Sequence, residues 1–528
     1  MKKLLKLLML IFIIMPCSFV FVGCENSSGG DVPPAEEQPG DIPGGEEPED
    51  PAEPEDPEDP EDPEEPSNPG VVPENPPVAT VGLEYQLDNE TYTVKGLGTA
   101  SSGNIVIPAT YEDKAVTKIA AEAFKEKGIT GVILPEGLLE IGQFAFSGNQ
   151  LRNIHIPSTV TTIGLEAFSY NNYMNSITFE ENSSLETIGE KSFRGCLNVA
   201  SITIPKSVIT IEAHAFSRIN SLTEIKFEDN SELQSIGEYA FKEGYGLKTI
   251  TIPKNVETIG EGFLEFCTSL TTINYNCEEV SFSEYYPKTF TNIGTEGTNL
   301  TLNIGKDVKK IPARLFYYDS HSNLDLPRIT HLVFEDGSLC TSIGEEAFKN
   351  ITTLKEVSFA GSSSLETIEK NAFVACSALL KVEIPETLKV LGTDAFGGCT
   401  VLTLKTENSG KYLGNESNPY LVLMDITDTS ITSFTVPEST KIIASYAFAG
   451  CSSLKTVVLP ENLTNIGYSA ININLNSLTF KNYNTWIVYD NATLLDKKAF
   501  TSVELEDPED AAEAFSSYKT YIWIFRQD

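Results

Sequence analysis

The sequence predicts a repeat solenoid, in which β-rich coils of about 20–30 residues with short helical turns stack along one axis. Three observations carry that expectation. The segment LKTITIPKNVETIGEGFLEFC at Leu247–Cys267 recurs through most of the chain, and Pro157, Pro205 and Pro253 mark one register 48 residues apart. Between those prolines lies a variant coil in which Phe-Glu replaces Ile-Pro, at Phe179 and Phe227. Within a coil the apolar residues alternate, as Ile250 and Ile252 do around Thr251, which is the period of a strand with one face inward.

Each part of the coil follows from its residues. The strand at Ile250–Ile252 ends at Pro253, because proline cannot donate to a ladder. Val256 and Ile259 continue inward as a second short strand. Gly260 is expected to turn the chain, since glycine adopts positive φ without a steric penalty. The segments GEKSF at Gly189–Phe193 and GTDAF at Gly392–Phe396 then predict a short helical turn that buries its Ala and Phe. A single coil buries too little to offset its own backbone entropy, so stability has to come from stacking.

Residues 1–23 have the form of an export signal. Lys2, Lys3 and Lys6 precede an apolar run, Leu7 to Val22, that closes on Gly23-Cys24. A small residue before a single cysteine in that place resembles a bacterial lipoprotein signal, in which Cys24 is lipidated and becomes the mature N-terminus. Residues 24–77 are expected to be a disordered stalk: from position 25 they hold 19 acidic residues, 15 prolines and no Lys or Arg, including PEDPEDPEDPEEP. Of the net charge of −38, residues 78–528 hold −22. Such an acidic body argues against nucleic acid or an anionic membrane as its ligand, so contact with a membrane is expected through the lipid anchor only.

The solenoid is expected over residues 78–480, with residues 78–103 as an N-terminal hairpin cap. About sixteen strand cores follow, from Ile105/Ile107 and Val132/Leu134 through Ile250/Ile252 to Leu402/Leu404, Phe434/Val436, Val457/Leu459 and Leu478/Phe480. Residues 481–528, with Trp486, Trp523 and a helical EDPEDAAEAFSSYKTY, read as a C-terminal cap over the last coil. Two stretches break the register, 276–330 and 400–430. Insertions in solenoids leave the stack on one face and often carry binding sites. Their tyrosines, Tyr285, Tyr286, Tyr317, Tyr318, Tyr412 and Tyr420, are the candidate ligand contacts. The alternative is a weak, extended contact along the outward strand positions, which are rich in Thr and Ser: Thr178, Thr203, Thr251, Ser358, Thr435 and Thr479.

No catalytic or metal-binding pattern accompanies these features. Cys196, Cys267, Cys376, Cys399 and Cys451 recur in the turn after the buried Phe, which marks a ladder position suited to a small thiol rather than a disulfide framework. Only Cys376 and Cys399 lie one coil apart. His155, His214, His321 and His331 have no metal spacing, and no nucleophile or phosphate-loop motif occurs. The chain is expected to be neither an enzyme nor a cofactor protein, and to act as a monomer.

The motif L-x-x-I-x-I-P-x-x-V-x-x-I-G-x-x-A-F-x-x-C, as at Leu379–Cys399 and Ile431–Cys451, resembles the BspA-like leucine-rich-repeat surface proteins. The ending DPEDAAEAFSSYKTYIW resembles that of treponemal members. The resemblance implies a right-handed leucine-rich-repeat superhelix with a parallel sheet along one face and exposure at the outer membrane or cell surface. It also implies adhesion to a protein ligand, a host matrix protein or a protein of another bacterium. A structural or envelope-organising lipoprotein that faces the periplasm is the alternative.

Overall fold

The computed structural model describes residues 77–525 apart from 281–288, 295–298, 317–325, 360, 362, 482–484 and 491–495. Over these the chain winds as a parallel β-solenoid of about 16 turns. Each regular coil is hydrogen-bonded to its neighbours on three sides.

The first side is the strand built on the I-x-I motif. Ser201–Ile204, Glu224–Phe227, Thr249–Ile252, Thr272–Tyr275, Leu300–Ile304, Ile329–Phe334, Glu356–Phe359 and Lys381–Val382 lie parallel in one sheet. Ile250 sits in register between Ile225 and Ile273. Ile250 and Ile252 are fully buried while Thr251 is exposed, as alternation requires. The second side is the short strand, as at Thr210–Ile211, Ser235–Ile236 and Thr258–Ile259. Among the described residues this ladder runs from an N-terminal hairpin, Glu84–Asp88 with Thr91–Gly96, to Thr258–Ile259. It runs again from Lys310–Ile311, within the irregular stretch 276–330, to Val390–Leu391.

The third side corrects the expected helical turn. After Gly237 the chain makes two successive reverse turns, with Lys242 N–H donating to Tyr239 O at 3.1 Å and Gly244 N–H to Phe241 O at 3.2 Å. Tyr239 and Glu243 are left-handed, with φ of 55° and 61°. A left-handed residue at every fourth position aims alternate N–H groups along the solenoid axis. Tyr239, Phe241 and Glu243 accordingly donate to Glu261 O, Phe263 O and Glu265 O of the next coil at 2.9, 2.8 and 2.8 Å. A helix would spend those donors inside its own coil, whereas the turn makes them a third ladder. The left-handed site is held by Glu122, Phe144, Glu166, Lys191, His214, Tyr239 and Asp394 among others. Because left-handed backbone costs a non-glycine residue about 1–2 kcal/mol, Asp394→Gly is expected to stabilise the chain. Glycine's extra unfolded-state freedom offsets part of the relief, which leaves a gain of up to about 1 kcal/mol. Urea titration checks it; a lower midpoint for the variant would mean the Asp394 side chain contributes more than its backbone costs.

Gly260 is a second correction. Its φ is not positive, and a Cβ there would lie 2.3 Å from Glu238 N and 2.7 Å from Glu238 Cα. The same holds at Gly237, 2.5 Å from Ala213 N, and at Gly392, 2.3 Å from Lys370 N. This glycine lets two coils approach at the corner, where Gly260 N–H reaches Ile236 O at 2.8 Å.

Inside the turn, Phe124, Phe146, Phe168, Phe193, Phe216 and Phe241 stack ring on ring, with centroids 5.1–5.6 Å apart and planes within 11°. In the next coil Leu264 takes that place and Phe263 the Ala place. The ring of Phe263 then meets Phe290 edge-on, at 82°. The ladder straightens again at Phe348–Phe373–Phe396, with planes 3–4° apart. Three residues after the phenylalanine place, which Leu264 fills before Cys267, the thiols of Cys196, Cys267, Cys376 and Cys399 point to the carbonyl of the preceding coil's phenylalanine at 3.2–3.5 Å. Asn149 and Asn171 serve Phe124 O and Phe146 O in the same way. The recurring cysteine is therefore a small, weak donor for a buried carbonyl. All seven cysteines of the described residues are free, and burial pushes Cys196 and Cys267 up to about 12, which keeps them unreactive.

The second insertion departs from the expected strand at Leu402/Leu404. The strand there is Lys405–Glu407, which opens an antiparallel meander with Gly410–Leu413 and Val422–Ile426. Leu402 and Leu404 pack on the core from irregular backbone. Two apolar cores meet at this meander, one spanning the N-terminal coils and one the C-terminal coils and cap. The cap closes the ladder with antiparallel pairing: Ile522–Phe525 lies between Asn465–Ile466 and Trp486–Tyr489. Helix Pro508–Ser517, capped by Asp507, brings Phe515 within 4.9 Å of the buried Trp523 ring.

Candidate ligand-binding surfaces

Alternation puts the polar residues of the first strand into a flat ladder. His155 Nδ1 meets Thr178 Oγ1 at 2.9 Å, Asn274 Nδ2 donates to Thr251 Oγ1 at 2.9 Å, and Asn303 Nδ2 to Asn274 Oδ1 at 2.8 Å. Thr178, Thr203, Thr251 and Thr435 are exposed, and Ser358 and Thr479 half-buried. An open groove of about 630 Å³ crosses the ends of these strands, lined by Glu224, Lys226, Thr251, Lys254, Lys306 and Glu335 among others. Side chains of both signs line it together with Asn230, Asn276, Phe227 and Pro253, and such an open, charged groove suits a protein surface better than an apolar small molecule.

Of the six tyrosines expected at the insertions, Tyr285, Tyr286, Tyr317 and Tyr318 lie outside the described residues, as does Cys24. Tyr412 is not presented for contact: it is 1% exposed, because the strand Gly410–Leu413 turns it into the C-terminal core. Tyr420 is half-buried, with its ring edge-on to Tyr412 at 5.3 Å and its hydroxyl donating to Glu407. The structure thus brings this pair together as packing against the meander.

A different set of aromatic side chains reaches solvent. Tyr170, Tyr173, Tyr245 and Phe266 are 36–57% exposed, all on or beside the turn side. Tyr170 and Phe266 occupy the second left-handed position of their turns, with φ of 56° and 63°. Sequence reasoning missed them because a helical turn gives those positions no common direction. The signal was the seventh residue of the G-x-x-A-F-x-x frame, which is exposed at Tyr170, Arg218 and Phe266. His214, at the first left-handed position, stacks on Tyr239 with centroids 5.0 Å apart. Burial, then the charges of Arg194, Lys191 and Lys242, lower its pKa. Lys242 lies 4.6 Å from the Tyr239 ring centre and 5.4 Å from that of Phe266.

Among the described residues no group of His, Cys, Asp and Glu is placed to hold a metal ion, and no helix is long and apolar enough to cross a membrane.

Residues 100–196, 186–325, 296–418 and 426–509 match the family model of the BspA type leucine rich repeat region, in 6 copies. No curated protein matches. A leucine-rich repeat protein from Bacteroides ovatus is 23% identical over 74% of this chain and 91% of its own, with a TM-score of 0.43. The pneumococcal vaccine antigen PcpA is 19% identical over 77% of this chain and 94% of its own, with a TM-score of 0.31. The leucine rich repeat protein of T. pallidum is 23% identical over 38% of this chain and 83% of its own, with a TM-score of 0.30.

Proposed function

We propose that this chain, which belongs to the BspA-type leucine-rich repeat proteins, is a surface-displayed protein-binding module that adheres to host matrix proteins or to other bacteria. The repeat match over most of residues 100–509 carries the reading. A scaffold of stacked coils offers a long, rigid, polar face and no enclosed chemistry, which is what extended protein contact requires. In this reading residues 1–23 direct export, Cys24 holds the lipid, and residues 24–77 space the solenoid from the membrane. Tyr285, Tyr286, Tyr317 and Tyr318 are its candidate anchors, since tyrosine gives large amphipathic contact at low entropy cost.

One experiment on cells and one on the purified chain test this. Wild type is expected in the membrane fraction and open to protease on intact cells, and Cys24→Ala in the soluble fraction. Protease resistance until the envelope is broken would instead place the protein facing the periplasm. The purified chain is expected to capture a protein from host matrix or bacterial surface fractions. Changing the four tyrosines to serine should weaken that binding tenfold or more while melting stays unchanged. Undiminished affinity would move the contact to the strand face.

A further inference from the structure

The C-terminal sheet ends in a free edge. Its last strands run in the order Ile522–Phe525, Trp486–Tyr489 and Asp496–Phe500, and Asp496–Phe500 pairs on one side only. Alternate residues of an antiparallel strand turn their N–H and C=O away from the partner. The outer side of Asp496–Phe500 therefore holds a row of both groups, unpaired among the described residues. The opposite edge of the same sheet, Lys405–Glu407, is shorter, and Glu407 there accepts the Tyr420 hydroxyl.

A groove of about 420 Å³ lies between this strand and helix Pro508–Ser517. Lys498 and Phe500, on one face of the strand, form one wall. Asp510, Glu513, Ala514 and Ser517, spaced as one face of the helix, form the other. The ring of Phe500 is anchored, stacked on Trp523 with centroids 4.9 Å apart. A lysine on a free edge ordinarily guards it against pairing. Lys498 is instead drawn down, its Nζ 4.0 Å from the Phe500 ring centre and 3.3 Å from Glu504 Oε1. Asp510 and Glu513 are exposed and have no cation partner among the described residues.

We propose that the edge Asp496–Phe500 takes an extended segment of another protein as an added strand, with basic and apolar residues alternating on its groove side. The main chain pairs with the free edge, and every second side chain enters the groove between strand and helix. Charge selects those side chains. The groove's one lysine is already paired, two carboxylates on the helix wall are not, and the body around them has a net charge of −22. Residues 25–77 of the chain itself do not fit, because their 15 prolines cannot join a ladder and their 19 acidic residues are repelled. This contact is separate from the one proposed at the insertions, and either can fail without the other.

Three fluorescein-labelled peptides titrated into the full-length chain test it. The first, acetyl-TVTRTVTRT-amide, alternates Val and Arg on one face; the second carries Glu in place of Arg; the third is the first N-methylated through its centre. The first is expected to bind saturably and at least tenfold more tightly than either of the others. Ser517→Phe, which fills the groove from an exposed position, should weaken that binding at least tenfold. The double change Asp510→Asn with Glu513→Gln should weaken it at least fivefold. Melting curves establish that the variants fold; should Ser517→Phe fail to, the double variant carries the comparison. Hydrogen exchange of residues 496–500 is expected to slow when the first peptide binds, which attraction to the acidic surface alone would not cause. No saturable binding of the first peptide at millimolar concentration, equal binding of the N-methylated one, or unchanged exchange at 496–500 would overturn the proposal. Equal binding of the Glu peptide would overturn the charge selection on which it rests.

Discussion

Ile250→Asp is expected to open the solenoid on both sides of its coil, while Thr251→Asp, one residue on, leaves it intact. Ile250 has no solvent exposure and sits in register between Ile225 and Ile273. Losing its burial removes about 1.5–3 kcal/mol. Placing a carboxylate there adds several kcal/mol more, because nothing in the core can accept or donate to it. The sum, about 5 kcal/mol or above, exceeds what most single substitutions do. Thr251 faces water beside Asn274 Nδ2, and losing that 2.9 Å hydrogen bond at an exposed site should change stability by about 0.5 kcal/mol. Since coils contact chiefly their neighbours, the damage should spread from the middle of the stack rather than abolish every coil at once. Circular dichroism melting of the two variants decides it, and equal losses would show that the strand register is wrong.

Gly260→Ala is expected to be the costlier of two changes at the corner that look conservative. The new Cβ would meet Glu238 N at 2.3 Å and the backbone of Gly237 at 2.7 Å, so relief requires the coils themselves to part. Overpacking of this kind costs about 1–3 kcal/mol, and the upper end applies where backbone rather than a side-chain tip must move. Glu257→Ala, exposed in the same coil, should be nearly neutral. A third variant separates the two explanations of the glycine. Were positive φ the reason, Asn would be tolerated better than Ala, because Asn enters the left-handed region more readily. Close approach demands the reverse: Gly260→Asn should be at least as damaging as Gly260→Ala. A clear rescue by Asn in thermal or urea unfolding would overturn the close-approach account.

Much of the fold was legible because its determinants are local and repeated. The I-x-I alternation, Pro253 at the strand end and the recurring Ala and Phe state which residues face inward, and the structure buries Ile250, Ile252, Val256, Ile259, Ala240 and Phe241 accordingly. The helix at Pro508–Ser517 falls inside the stretch EDPEDAAEAFSSYKTY that reads as helical, and the structure adds its Asp507 cap and proline at the first position. The candidate contacts were less so. Tyr412 and Tyr285 look alike as letters in an irregular stretch, and composition cannot tell an exposed ring from one that a meander folds inward.

The sequence by itself determined the coil: its length, its inward face, its corner and the strands that stack. Those follow from periodicity and from what proline, glycine and β-branched residues allow within a few bonds. Only the tertiary structure decided the work of Gly260 and the direction of Tyr170. Each depends on the coil before or after it, about 23 residues away in the chain yet only a strand spacing away in space. The left-handed turns have the same origin, because a backbone that costs energy within one coil is kept only when the next coil accepts its N–H groups.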